Sequence, residues 1–212
     1  IEKYGADTLR MYEMFLGPIE HSKPWNTNGI EGVFKFVRKF WNLFHNNNEL
    51  FEVSEEEPNK QEFKILHKLI KKIEDDLEKF SLNTSISSFM IATNELAQIK
   101  CNKRQILEPL TIIISPYAPH LSEEIWNKLD NKNSIAYAKF PKLNPIYLIE
   151  DSFEYPVSVN RKMRAKLSFP LDTPMKDIKQ EVLNHHIIKK WLDGKNPKKV
   201  IVVHKKIINV VL

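Results

Sequence analysis

One cysteine, Cys101, stands in 212 residues. Without a second thiol, neither a disulfide nor a cysteine-based zinc site can form inside the chain. Glycine is equally scarce, five residues scattered singly, so no glycine-rich loop is present to wrap a phosphate. No run of about 18 apolar residues occurs, so no membrane-spanning helix is expected. The opening, Ile1-Glu2-Lys3-Tyr4-Gly5, has neither an initiator Met nor a basic-then-apolar signal pattern. A piece of a longer, cytoplasmic protein is expected.

Clustered chemistry is missing too. His185 and His186 are adjacent, so on a helix they point about 100° apart and cannot share a metal. Cys101 has no activating neighbour in sequence, which favours a structural thiol. Glu123 and Glu124 fall in a helix's first turn, where acids suit the dipole. His120, at the start of that helix, is expected to donate to a carbonyl or carboxylate. Asn83-Thr84-Ser85 matches a glycosylation acceptor but reads as a polar helix-entry loop. The tryptophans, Trp25, Trp41, Trp126 and Trp191, read as core or capping residues rather than base-stacking platforms. No catalytic residue, metal ligand or resident cofactor is expected in this chain.

What is present is ample apolar material, 42% of residues, with 28% charged. That suffices for one or two globular domains. The net charge of +5 is unevenly spread: from Tyr155 onward there are 13 Lys+Arg against 4 Asp+Glu, while the first 154 residues hold 19 against 23. A basic tail on a mildly acidic body suits either a polyanion partner or a solvated, soluble face.

The first part reads as helices. Asp7 is expected to cap a helix from Thr8 to Leu16, which Gly17-Pro18 stops. Asn28-Gly29-Ile30-Glu31 resembles a capping box. Ile30, Val33, Phe34, Val37, Phe40, Trp41 and Phe44 recur at helical spacing. A second stripe runs through Phe63, Leu66, Leu69, Ile70, Ile73, Leu77 and Phe80, and a third through Ile86, Phe89, Met90, Thr93, Leu96 and Ala97. Ile106 to Tyr117 is apolar almost all round and should be the central helix. Leu121, Ile125 and Leu129 mark a last short one.

The period then changes. Residues 141–154 lack periodicity and read as a linker. From Tyr155 the alternation is two: Tyr155, Val157 and Val159, then Met163, Ala165, Leu167 and Phe169 against Lys162, Arg164, Lys166 and Ser168. This predicts a hairpin with one buried and one basic face. Thr173-Pro174 opens a helix, and two more strands flank Lys205-Lys206. The chain is therefore expected to be mostly α: an antiparallel helical bundle over 1–140, a linker over 141–154, and a small α+β domain over 155–212.

Several segments resemble one family. Tyr4-Gly5-Ala6-Asp7-Thr8-Leu9-Arg10 resembles the segment after the lysine-rich ATP loop of class I aminoacyl-tRNA synthetases. Gly17-Pro18, Lys23-Pro24-Trp25, Gly29-Ile30-Glu31-Gly32 and Phe36-Val37-Arg38-Lys39-Phe40-Trp41-Asn42 resemble the leucyl enzymes. Ile114-Ser115-Pro116-Tyr117-Ala118-Pro119-His120, with Glu123-Glu124 and Trp126, resembles the anticodon-binding helical bundle of the subclass. Val157 to Lys166 and Val200 to Leu212 are similar to the small C-terminal domain of bacterial-type leucyl-tRNA synthetases. That family carries Asn-Gly where this chain has Asn160-Arg161, and Pro-Gly where it has His204-Lys205. Neither Arg nor Lys shares glycine's tolerance of positive φ.

The resemblance implies a parent enzyme that activates leucine with ATP and Mg, attaches it to tRNA(Leu) and edits errors, through catalytic and editing domains outside this chain. The present segment would bind tRNA without chemistry and without relying on anticodon bases. Phosphates want Lys and Arg, so Arg38, Lys39, Lys162, Arg164, Lys166, Lys205 and Lys206 are the candidate contacts. The competing readings are the same part of a methionyl or valyl enzyme, or a helical protein-interaction module with a basic tail.

Overall fold

The computed structural model describes every residue except Ile19, Lys23, Trp25, Thr27, Asn28, Glu150 and Asp151. The chain divides into two compact units, Ile1–Leu148 and Ile149–Leu212. Among the described residues no helix is long and apolar enough to cross a membrane.

The first unit is helical: α1 (Ala6–Phe15), α2 (Ile30–Asn42), α3 (Lys60–Glu78), α4 (Leu82–Gln98), α5 (Arg104–Ile114) and α6 (Pro119–Lys128). Helix α3 shows why such a sequence starts where it does. Asn59 accepts from the backbone N–H groups of Gln61 (2.9 Å) and Glu62 (3.0 Å), and Glu62 accepts from the Asn59 N–H at 2.7 Å. This reciprocal box satisfies donors that the first turn leaves orphaned. The box expected at Asn28 lies outside the described residues; α2 begins after Gly29, without a side-chain cap. Gly29 serves close packing: a Cβ there would stand 2.7 Å from the Tyr12 hydroxyl.

The core gathers the predicted stripes. Phe40, Phe44, Ile70, Ile73, Phe89, Leu96, Ile106, Leu107, Leu110 and Ile113 are all fully buried. Helix α5 buries Ile106, Leu107, Leu110, Thr111, Ile113 and Ile114 despite Pro109 inside it. Two stripes differ in detail. Phe36 is buried on α2 where Phe34 and Val37 are only partly so. Leu77 and Phe80, expected at the foot of the α3 stripe, are 41% and 72% exposed. Phe80 sits at φ 51 in the turn between α3 and α4, past the last helical residue, so the 3.6-residue period no longer aims it inward. Asn83, Thr84 and Ser85, expected in a loop entering the helix, lie inside it, since α4 already begins at Leu82. Cys101 is buried, and burial pushes its thiol up to about 12.

The segment read as a linker is structured on both sides of the division. A 3-10 turn over Pro145–Leu148 packs on α3. Tyr147 stacks on Phe63 at 4.5 Å and on His67 at 4.8 Å, and the Asn144 N–H donates to His67 Nδ1 at 3.2 Å. Beyond it, β1 already begins at Ser152.

The second unit holds β1 (Ser152–Val159), β2 (Lys162–Pro170), α7 (Met175–Asn184), α8 (His186–Leu192), β3 (Lys199–Val203) and β4 (Ile207–Val211). The sheet order is β2-β1-β4-β3, with β1 parallel to β4 and the other neighbours antiparallel. Tyr155, Val157, Val159, Phe169, Ile208 and Val210 pack against Ile178, Val182, Ile188 and Leu192 of the two helices. Thr173 does not cap α7: Pro174 takes the cap position, without a side-chain bond. His185 and His186 are not on a continuous helix; His185 (ψ 131) breaks α7 from α8, and the two rings lie 4.5 Å apart.

Candidate nucleic-acid interface

In the first unit, the candidate cations sit on α2. Its apolar face turns inward, leaving Arg38 and Lys39 exposed one turn before the helix ends. Lys39 lies in the last turn, where a cation suits the helix dipole, and donates to Asn94 of α4 at 2.6 Å. After α2 the chain turns back through Asn46, whose side-chain oxygen accepts from the N–H groups of Asn48 (2.9 Å) and Leu50 (3.1 Å). That turn sets His45 beside Phe51 in a short bridge.

His45 then stacks on Trp41, ring centroids 4.3 Å apart at 26°. Its Nδ1 lies 2.8 Å from the Trp41 carbonyl oxygen. A carbonyl only accepts, so the proton is assigned to Nδ1 and the tautomer is fixed. From α6, Lys128 comes within 5.9 Å of the Trp41 ring centre, a cation–π distance, while bonding Glu124 at 3.4 Å. Arg38, Trp41, Asn42, His45, Asn47 and Lys128 line an open groove of about 780 Å³, with Glu49 as its acid. A stacked, half-buried aromatic pair flanked by cations and side-chain amides is a surface to which folded RNA can present phosphate and base. Sequence reading assigned Trp41 to the apolar face and missed Lys128 and His45. The signal was available as a basic and an aromatic residue adjoining the Asn-rich stretch, but their convergence with α6 is tertiary.

Of the other tryptophans, Trp126 fits the core reading: it is buried and its indole N–H donates to the Asn133 carbonyl at 2.7 Å. Lys23 and Trp25 lie outside the described residues. Trp191 does not fit it, being 43% exposed.

In the second unit the candidate cations are not gathered as expected. Strict alternation placed Lys162, Arg164 and Lys166 on one strand face. The pairing of β1 with β2 shifts register between Val157 and Ser158: Val157 faces Ala165, whereas Ser158 faces Met163. Arg164 is therefore an extra, bulged residue, and the bulge reverses the faces of the two residues before it, Lys162 and Met163. Lys162 faces Val159 and so shares the side of the apolar strand face, while Met163 is turned outward and 62% exposed. Lys166, opposite Pro156, stays on the outer face and bonds Glu154 at 2.9 Å. The guanidinium of Arg164 lies 3.5 Å over the Trp191 ring of α8. Lys205 and Lys206 are at the other end of the sheet from Asn160. The Lys205 N–H reaches the Tyr155 hydroxyl at 3.2 Å, whereas the Asn160 N–H donates to Val210 O at 2.9 Å. The parallel run of β4 beside β1 separates the two turns by the length of the sheet.

Both turns keep their tight geometry without glycine. Asn160 (φ 48) and Arg161 (φ 67) are both left-handed, the combination a two-residue hairpin turn demands, and Lys205 sits at φ 50. Among the described residues no group of three or more His, Cys, Asp or Glu side chains converges to hold a metal ion.

Known proteins share this architecture. The family described as the anticodon-binding domain of tRNA ligase matches residues 60–181. A leucine–tRNA ligase of Cytophaga hutchinsonii is 56% identical over 212 residues, which is 100% of this chain and 23% of the relative. One of Bacteroides thetaiotaomicron is 52% identical over the same 212 residues, 22% of its own length. The chain thus spans less than a quarter of the curated relatives it matches. The crystal structure of the Agrobacterium radiobacter K84 LeuRS–tRNA–LeuAMS ternary complex superposes with a TM-score of 0.68 at 24% identity, covering 99% of this chain and 29% of that one. At that identity the likeness is one of fold. Both of these relatives, which match along the whole of this chain, are named leucine–tRNA ligases, and the chain belongs to the anticodon-binding-domain family of tRNA ligases.

Proposed function

We propose that this chain is the tRNA-binding C-terminal part of a leucine–tRNA ligase, an enzyme that activates leucine with ATP and attaches it to tRNA(Leu). In this reading ATP and Mg are bound by the parent's catalytic fold. The catalytic and editing domains of the same parent are the segment's covalent partners, and the setting is the cytoplasm. The segment itself makes and breaks no bond; it holds the RNA so that the acceptor end reaches chemistry done elsewhere.

The observation that carries this is the α2–α6 groove, where Arg38 and Lys128 flank the Trp41–His45 stack. Support comes also from the names of the relatives, both leucine–tRNA ligases, and from the 13 basic residues from Tyr155 onward, against 4 acidic ones. Phosphate contacts position a folded RNA, and each one neutralised releases counterions. The test is a salt series of tRNA(Leu) binding by the whole chain and by its Arg38→Ala, Lys39→Ala, Lys128→Ala triple variant. The triple variant should bind more weakly, with a log–log salt slope shallower by about two to three units. An unchanged slope with an intact fold would remove this groove from the RNA interface.

A further inference from the structure

We propose that Arg164 and Trp191 together form a phosphate-binding contact for RNA, in which the indole holds the guanidinium flat and its free edge grips a phosphodiester. This rests on the reading that the chain binds tRNA, and it assigns Trp191 a part that its sequence position does not suggest.

The bulge leaves Arg164 without a cross-strand partner, since Val157 pairs with Ala165 and Ser158 with Met163. A bulge re-aims the side chain it carries, and here the guanidinium carbon comes to rest 3.5 Å from the centre of the Trp191 ring. Trp191 in turn stays 43% exposed, so the stack lies at the surface of α8 and not within the core.

The donors of Arg164 are also unspent. No hydrogen bond or ion pair to it occurs among the described residues, and its Nε is buried with no acceptor. The contrast inside the same chain is sharp. Arg104 donates to Glu108 at 2.8 Å, to Glu55 at 3.1 Å and to the Leu129 carbonyl, and Lys166 bonds Glu154 at 2.9 Å. A partly desolvated guanidinium with no acceptor is costly unless an anion completes it. Its planar fork matches phosphate in two parallel bonds, and stacking removes the rotamer freedom that binding would otherwise have to freeze.

The surroundings favour RNA over an acidic protein. Lys189 and Lys190 precede Trp191 on α8, and Lys162 is exposed at the start of the same strand as Arg164. The exposed indole rim beside the fork offers a flat surface to ribose or base, which a carboxylate side chain would leave unused. The phosphate contact is made by Arg164; Trp191 holds the guanidinium in place and adds only its exposed rim.

The experiment titrates a labelled tRNA(Leu) transcript with the whole chain over a salt series, for wild type and for Arg164→Met, Arg164→Lys, Trp191→Ala and Trp191→Phe. Urea unfolding of each variant reports the fold. Arg164→Met should bind about tenfold more weakly and flatten the log–log slope by about 0.7 to 0.9, one phosphate contact. Arg164→Lys should keep the slope and lose affinity, because a lysine carries the charge without the fork. Trp191→Ala should likewise lose affinity at nearly wild-type slope, and Trp191→Phe should restore it. An Arg164→Met variant with wild-type slope and affinity, beside a wild type that binds, overturns this inference alone. A wild type that does not bind tRNA overturns the proposed function and this contact with it. A loss by Arg164→Met that appears with polyglutamate and not with tRNA would assign the stack to an acidic protein and overturn the inference.

Discussion

Asp7 of α1 caps a helix that begins more than a hundred residues later. Its Oδ1 lies 2.7 Å from His120 Nδ1 and 3.4 Å from the His120 N–H, and its Oδ2 accepts the Leu121 N–H at 2.7 Å. Helix α6 has no side-chain cap of its own, so a carboxylate from α1 satisfies two of its orphan donors and faces the positive end of its dipole. Arg10, one turn on, donates to the Pro116 carbonyl at 3.1 Å, a second tie between α1 and the α5–α6 corner.

Replacing Asp7 should therefore unseat α6 rather than α1. Asp7→Ala leaves two partly buried N–H groups without their acceptor, and the expected loss is about 1–2 kcal/mol, measured as a shift in the urea midpoint. Asp7→Asn keeps one acceptor and should lose less. A loss under about 0.5 kcal/mol for Asp7→Ala would mean that water replaces the carboxylate freely.

Arg161 and Lys205 hold left-handed backbone at φ 67 and φ 50, where an ordinary side chain costs about 1 kcal/mol or more. Arg161→Gly and Lys205→Gly should each raise stability, by about 0.5–1 kcal/mol after glycine's greater unfolded-state entropy is subtracted. Urea unfolding of the chain measures both. A fall in stability would show that the replaced side chain makes contacts worth more than the backbone strain it imposes.

The helices were legible because the stripes through Phe40, Ile73, Phe89 and Leu96 are local and periodic. The Asn59–Glu62 box is just as local, an acceptor followed three residues later by Glu, but it follows directly on Ser54-Glu55-Glu56-Glu57-Pro58, an acidic stretch that reads as a break between helices. What was hidden is what pairs across distance. Asp7 reads as its own helix's cap until α6 is seen to need it. The β2 sequence alternates without fault from Lys162 to Phe169, and nothing in the letters shows that β1 skips a residue opposite Arg164. The candidate cations are exposed or half-buried, yet their grouping depends on that skipped pair and on the parallel β1–β4 alignment. The parts of Lys128 and Trp191 were missed because a basic or aromatic residue on a short helix gives no hint of what stacks on it.

His67 is the group through which acid should act on the first unit. Burial pushes its pKa below the ordinary 6.5, and its Nδ1 accepts the Asn144 N–H, which requires the neutral ring. The unfolded chain then binds the proton more readily than the folded one. The stability His67 contributes is complete above pH 6.5 and is lost as pH falls below it toward the folded-state value. His67→Gln, which keeps an acceptor but cannot titrate, should flatten the dependence. Urea midpoints of wild type and variant from about pH 7 to about pH 5 check this; parallel curves would assign the acid sensitivity elsewhere.

The central claim, that this chain grips tRNA chiefly through phosphates, is tested most directly by anisotropy of a labelled tRNA(Leu) transcript titrated with the whole chain between roughly 50 and 200 mM salt. Contacts at the groove and at Arg164 predict saturable binding that weakens with salt, with a log–log slope of about −3 or steeper. No binding at the lowest salt, or a slope near zero, would contradict it.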